Sequence, residues 1–319
     1  MSAIFAVTTP FFALVLCGYL AARGRVLAAG AVPALNGFVL WFALPAMLFR
    51  FAANSPFASL VDPPVFATYA LCGMLILFAS AAGARWALGE SPRETAFVGL
   101  GAAWSNWGYM GIALIPALLG EQALAVLIAA GMADLLVLVS ASLALAALEA
   151  GAEGGPLQGL ARAVRGMSRN PLIWAVAAGI VCSWLELPLP GPVDTFLGPL
   201  GASAGPVALF AMGLSLHRGP GMRLEAGAWP IVYTKLIVHP LLVWLLGAVV
   251  VGLSAPKLEA MVLMAALPVA GTVFLFAERN SANSDRAATT IMLSTALAFL
   301  SFSALAWLQR AGAFRIALP

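Results

Sequence analysis

Between Gly101 and Gly120 the chain reads Gly-Ala-Ala-Trp-Ser-Asn-Trp-Gly-Tyr-Met-Gly-Ile-Ala-Leu-Ile-Pro-Ala-Leu-Leu-Gly, an apolar run of bilayer length that carries Ser105, Asn106, Gly108, Gly111 and Pro116 inside it. Much later, Ala265-Ala266-Leu267-Pro268-Val269-Ala270-Gly271-Thr272-Val273-Phe274 repeats the combination of apolar surroundings with Pro, Gly and a hydroxyl. Such residues interrupt helices. Backbone groups freed inside hydrocarbon cost several kcal/mol each, so an interruption at membrane depth survives only against protein or a water-filled cavity. The chemistry on offer is therefore binding. Asn106 and Thr272 supply hydrogen-bonding side chains, Gly108 and Gly271 expose backbone N–H groups, and Pro268 holds the second break open. Two half-helix N-termini brought to one point carry a partial positive charge, which suits a carboxylate.

Asp134 and Lys235 are the charges deepest in apolar sequence, and intramembrane charges are functional candidates by default. At about 1.5 Å per residue, Asp134 lies roughly 18 Å from one end of its span and Lys235 roughly 12 to 14 Å from the opposite face. In a hydrocarbon core about 30 Å thick these depths nearly coincide. Two readings stand open: a structural ion pair or an inward-snorkelling lysine, and a coupling site in which Asp134 takes a proton while Lys235 answers the substrate's charge.

The elements that must position these residues are membrane helices. Of 319 residues 62% are hydrophobic and 9% charged, with a mean hydropathy of +0.99, which excludes a water-soluble domain and leaves short loops. Ten spans are expected, at 3–22, 34–53, 64–88, 94–119, 122–148, 170–187, 194–216, 227–253, 257–279 and 286–310. The first is read as retained, because it lacks a basic leading region and Leu16 is too bulky to precede a lipoprotein cysteine. Cys17, Cys72 and Cys182 all fall within spans and read as small hydrophobes. No metal or cofactor is called for.

Basic residues set the orientation. Arg23, Arg25, Arg85, Arg93, Arg162, Arg165, Arg169, Arg218, Arg223, Arg279 and Arg286 follow the odd-numbered spans; Arg50, Lys257, Arg310 and Arg315 fall on the other side. The excess places the first group in the cytoplasm and both termini outside. These basic residues stand in ones and twos and form no contiguous patch, so nucleic acid is not an expected partner.

A repeat underlies the pattern. A shift of 161 residues lays Pro10 on Pro171, Gly18 on Gly179, Gly30 on Gly191, Gly37 on Gly198, Pro45 on Pro206, Leu48 on Leu209 and Phe49 on Phe210. About ten identities over roughly 40 positions exceed the roughly four expected by chance. Two five-span units, 1–150 and 170–319 about a cytoplasmic linker at 151–169, then sit inverted relative to one another, and the two interrupted spans become counterparts.

Asn106-Trp107-Gly108-Tyr109-Met110-Gly111-Ile112, Leu44-Pro45-Ala46-Met47-Leu48-Phe49, Asn170-Pro171-Leu172-Ile173, the run Pro206 to Leu216, Ala266-Leu267-Pro268-Val269-Ala270 and Ser294-Thr295-Ala296-Leu297 resemble the auxin efflux carrier family, in its bacterial malonate-carrier-like branch. The resemblance runs over essentially the whole chain. It implies a fold like that of bile-acid and sodium/proton antiporter-type carriers, with spans 1, 2, 6 and 7 as scaffold, the others as a moving core, and broken spans 4 and 9 crossing at the midplane. It also implies a bacterial inner-membrane carrier of a small organic anion, malonate-like or auxin-like, with a proton or sodium ion as candidate coupling partner and a homodimer as candidate assembly. At Thr272 the family more often shows asparagine, which has one more donor and an amide carbonyl. The alternatives are a non-transporting sensor or structural subunit and an intramembrane hydrolase. The hydrolase lacks a converging ionisable pair, since Asp134 is alone among deep acids and His217 and His239 lie at opposite depths.

Overall fold

The computed structural model describes residues 2–28, 30–149, 161, 164–165, 168–216 and 225–312. The linker 151–169 lies largely outside this set, as do Arg162, His217, Arg218, Arg223 and Arg315. The described residues are helical apart from short connections. The helices are α1 Ser2–Arg23, α2 Ala31–Asn54, α3 Pro63–Leu88, α4 Pro92–Ala103, α5 Trp107–Leu119, α6 Ala123–Ala146, α7 Pro171–Trp184, α8 Gly191–Leu216, α9 Ala228–Val250, α10 Ala255–Ala265, α11 Thr272–Arg279 and α12 Ser284–Arg310. Seven of these, α1, α2, α3, α6, α8, α9 and α12, are long and apolar enough to cross a membrane. This is an all-helical, polytopic integral membrane protein.

The helix starts follow from local chemistry. Asp62, Ser91, Asn170 and Asn283 accept first-turn N–H groups, from Val65, Glu94, Leu172 and Arg286 respectively. Proline stands in the first turn of α3, α4, α7 and α10, where its missing N–H costs nothing. Gly89 ends α3 at φ 66°, a left-handed conformation that glycine adopts without strain.

The stretches 94–119 and 257–279, expected as interrupted spans, each form two shorter helices. Residues 104–106 separate α4 from α5, and residues 266–271 separate α10 from α11. None of the four is long enough to cross by itself, α4 having 12 residues, α10 11 and α11 8.

Glycines let the outer helices pack backbone to backbone. A Cβ at Gly18 of α1 would strike the Phe210 carbonyl and the Leu214 amide of α8; one at Gly179 of α7 would strike the Phe49 carbonyl and the Ala53 amide of α2. Such close approach is what small residues supply in lipid. The centre is different. In α6, 72% of the apolar window is buried, against 17% in α1, so α6 is wrapped by protein while α1 faces outward.

Candidate functional site

The two breaks touch. Pro268 has no N–H and biases Leu267 toward extended backbone, so α10 cannot continue through it. Trp104, at φ −79° and ψ 116°, ends α4 in the same extended manner. Ser105 and Val269 then pair as a single antiparallel bridge. The Asn106 N–H donates to the Pro268 carbonyl at 2.9 Å, and the Ala270 N–H to the Trp104 carbonyl at 3.2 Å. Ser294 of α12 accepts from the Val269 N–H at 3.1 Å. Each break thus satisfies backbone groups of the other, which is how non-helical chain persists among apolar helices.

On one side of the crossing, donors are left over. The first backbone bonds of α5 run from the Met110 and Gly111 N–H groups to the Asn106 carbonyl, at 3.0 and 3.1 Å, so the amides of Trp107, Gly108 and Tyr109 precede them. In α11 the Val273 N–H turns back to Ala270, and Gly271 and Thr272 stand before it. These residues line a cavity of about 1480 Å³. Asn106, Gly108, Gly271 and Thr272 all border it; so do Trp104, Ser105, Trp107, Tyr109 and Met212. Pro268 does not border the cavity and contributes its carbonyl to the crossing. A Cβ at Gly108 or Gly271 would meet nothing within 4 Å, so open space lies against both. The Asn106 amide is held by α8, its Nδ2 donating to the thioether of Met212 at 3.1 Å. Sulfur is a weak acceptor and yields readily to a carboxylate.

On the other side, a cation is enclosed. Lys235, fully buried within a π-helical turn of α9, donates to the Ser105 hydroxyl at 2.8 Å and to the Ala265 carbonyl at 2.6 Å, and meets His239 Nδ1 at 3.1 Å. The Ala265 carbonyl closes α10, whose C-terminal end carries partial negative charge, so the ammonium caps it. Tyr69 of α3 completes the group through a 2.8 Å bond to Ser105. Asp134 opens a π-helical turn in α6, is fully buried, and faces the Lys235 charge and the Ser105 N–H. It makes no ion pair within 4.0 Å among the described residues, and both its oxygens lack a hydrogen-bond partner there.

The sequence-derived residues therefore fall into two groups. Asn106, Gly108, Gly271 and Thr272 meet at the cavity, with Pro268 bonded beneath them. Asp134 and Lys235 lie in one electrostatic cluster off the cavity, and with its amine held by Ser105 and the Ala265 carbonyl and set against His239, Lys235 is not placed to meet a ligand. The sequence reading missed Tyr69, His239 and Met212. Their types are unremarkable in apolar helices, and only contact singles them out.

The membrane transport protein family matches residues 3–153 and 157–306. The chain belongs to this family, the auxin efflux carriers. This carrier is 30% identical over 318 residues to a Rhizobium meliloti protein named "Putative malonate transporter", covering 98% of each chain. It is 25% identical to the Escherichia coli "Uncharacterized transporter YfdV" over 85% of this chain and 86% of that one. An "Uncharacterized transporter" of Methanothermobacter thermautotrophicus shares 25% over 90% and 92%. The carrier is a membrane transport protein and not an enzyme.

Proposed function

We propose that the protein carries a small organic anion, a malonate-like dicarboxylate or an auxin-like monocarboxylate, across the bacterial inner membrane by alternating access. The observation that carries this reading is the crossing: two half-helix N-termini, with Asn106 and Thr272 beside them, border one large cavity. Their free amides and partial positive charge bind a carboxylate, and the Asn106 amide adds a donor. The Rhizobium relative's printed name agrees with the substrate class.

In this reading the chain crosses ten times, as two inverted five-helix units at 1–150 and 170–319. The contacts of Gly18 and Gly179 support it. A shift of 161 residues converts Gly18, Phe210 and Leu214 of one contact into Gly179, Phe49 and Ala53 of the other, with the partners exchanged between halves. Spans 1, 2, 6 and 7, which are α1, α2, α7 and α8, form the scaffold, and the remaining helices move against it. The cavity reaches residues Arg93, Arg169 and Arg279, which the positive-inside rule places in the cytoplasm, so the conformation is inward-open with both termini outside.

Asp134 takes the coupling proton in this scheme. Its buried, unpartnered carboxylate lies in the same cluster as the crossing's backbone, so its charge state bears on how the breaks are held. Uptake into proteoliposomes, with malonate first and indole acetate second, tests the transport reading; no uptake or exchange of any organic acid by folded protein would overturn it. Asp134→Asn, measured with and without an imposed pH gradient, tests the coupling. The expected result is lost gradient response with retained downhill exchange; gradient-driven accumulation unchanged from the parent removes Asp134 from the role.

A further inference from the structure

Three arginines from separate parts of the chain border the cavity: Arg93 in the first turn of α4, Arg169 just before α7, and Arg279 at the end of α11. No aspartate or glutamate lines the cavity among the described residues. Three nearby carboxylates hold defined partners. Glu94 accepts from the Asn283 N–H at 2.9 and 3.1 Å, Glu90 pairs with Arg286 at 2.6 Å, and Glu149 accepts from the Arg93 N–H at 3.1 Å. The bond from Arg93, followed by the Ser91 side chain, holds the Glu149 carboxyl below its ordinary range, so it stays charged beside Arg93. Arg169 and Arg279 are exposed, and neither is in an ion pair among the described residues.

The positive-inside rule accounts for arginines on this face, but not for their bordering one cavity whose described lining holds no carboxylate. From Thr272 to Arg279 the helix rises about 10 Å, well beyond the length of a three-carbon dicarboxylate. One such ligand cannot bridge the crossing and the mouth together. A low-dielectric cleft lined with one sign of charge focuses its field and concentrates counter-ions.

We propose that Arg169 and Arg279, with Arg93 behind them, form a vestibular anion site distinct from the crossing, which draws doubly charged carboxylates into the cavity ahead of singly charged ones. This rests on the reading of the cavity as an organic-anion path. The selectivity follows from charge alone: where loss of the arginines lowers the entry of a monoanion by a factor, it lowers that of a dianion by about the square of it.

The test has one arm that needs no transport. In an otherwise cysteine-free protein, Gly271→Cys places a thiol in open cavity space, and its rates of modification by an anionic and a cationic thiosulfonate are compared. With Arg169→Gln and Arg279→Gln together, the anionic-to-cationic ratio falls about tenfold at low salt, and Arg→Lys at both positions restores it. In the second arm, Vmax/KM for malonate falls more steeply than for acetate in the Gln variant, and 0.5 M salt removes the difference. A reactivity ratio that changes less than twofold overturns the vestibule whatever the transport result. A ratio that falls as expected in a protein that moves no organic acid leaves the vestibule standing and removes the carrier reading instead.

Discussion

The two faces of the crossing are made from the same interruptions and carry opposite chemistry. Toward the cavity lie the starts of α5 and α11, where amides outnumber acceptors; toward α9 lie the end of α10, whose final carbonyl accepts from Lys235, and Ser105 at the close of α4. One face is occupied by the protein's own Lys235. The other leaves its donors for something that arrives. A broken helix has two ends of opposite polarity, and enclosing one end around Lys235 leaves the other turned toward the cavity.

Removing the fixed cation should have the largest effect. Lys235→Met leaves the Ala265 carbonyl without its donor and Asp134 without the opposing charge it faces, at a cost of about 3–5 kcal/mol. The expected outcome is loss of monodisperse protein on size-exclusion chromatography. Pairing it with Asp134→Leu, which removes both charges, should recover most of the yield. A double variant recovered no better than Lys235→Met would show instead that the loss does not come from the uncompensated acid.

Next in size is the ligand face. Asn106→Ala removes a side chain that faces the cavity but keeps the backbone bond to Pro268, so Vmax/KM should fall tenfold or more while the melting temperature moves by about 2 °C or less. Wild-type transport at wild-type abundance would remove Asn106 from the site. Gly108 separates space from amide: Leu there fills the space beside the crossing and should abolish most transport, whereas Ala, which meets nothing within 4 Å, should cost less than threefold. Equal losses for Ala and Leu would point to backbone conformation rather than volume.

The smallest expected effect is at Met212. Leucine keeps its volume and removes the sulfur acceptor, freeing the Asn106 amide, and KM should fall by about two- to threefold. Glutamine, a stronger acceptor, should raise it. A KM that is the same for Met, Leu and Gln would mean that the thioether contact does not compete with substrate.

How much of this was legible beforehand differs by residue. Asn106, Gly108, Gly271 and Thr272 were readable because polar and glycine residues are conspicuous against hydrocarbon, and all four border the cavity. The depth count put Asp134 and Lys235 at one level, and they share a cluster, but helix phase was not in the count. Counting residues measures height along a helix, whereas facing depends on rotation, and π-helical turns at both Asp134 and Lys235 alter that rotation locally. For the same reason Lys235 looked available to a substrate, while it donates to Ser105 and Ala265 and lies against His239.

By itself the sequence determined that this chain lives in a membrane, where its helices begin, and which two stretches must break, because hydropathy, capping residues and proline act over a few neighbouring positions. Only the tertiary structure decided that the two breaks bond to each other, that Lys235 faces one side of them and an open cavity the other, and that arginines scattered at positions 93, 169 and 279 border one cavity. Those outcomes depend on the packing of helices remote in sequence: in hydrocarbon each freed amide or carbonyl must find a partner, and the partner it finds is set by which helix lies alongside.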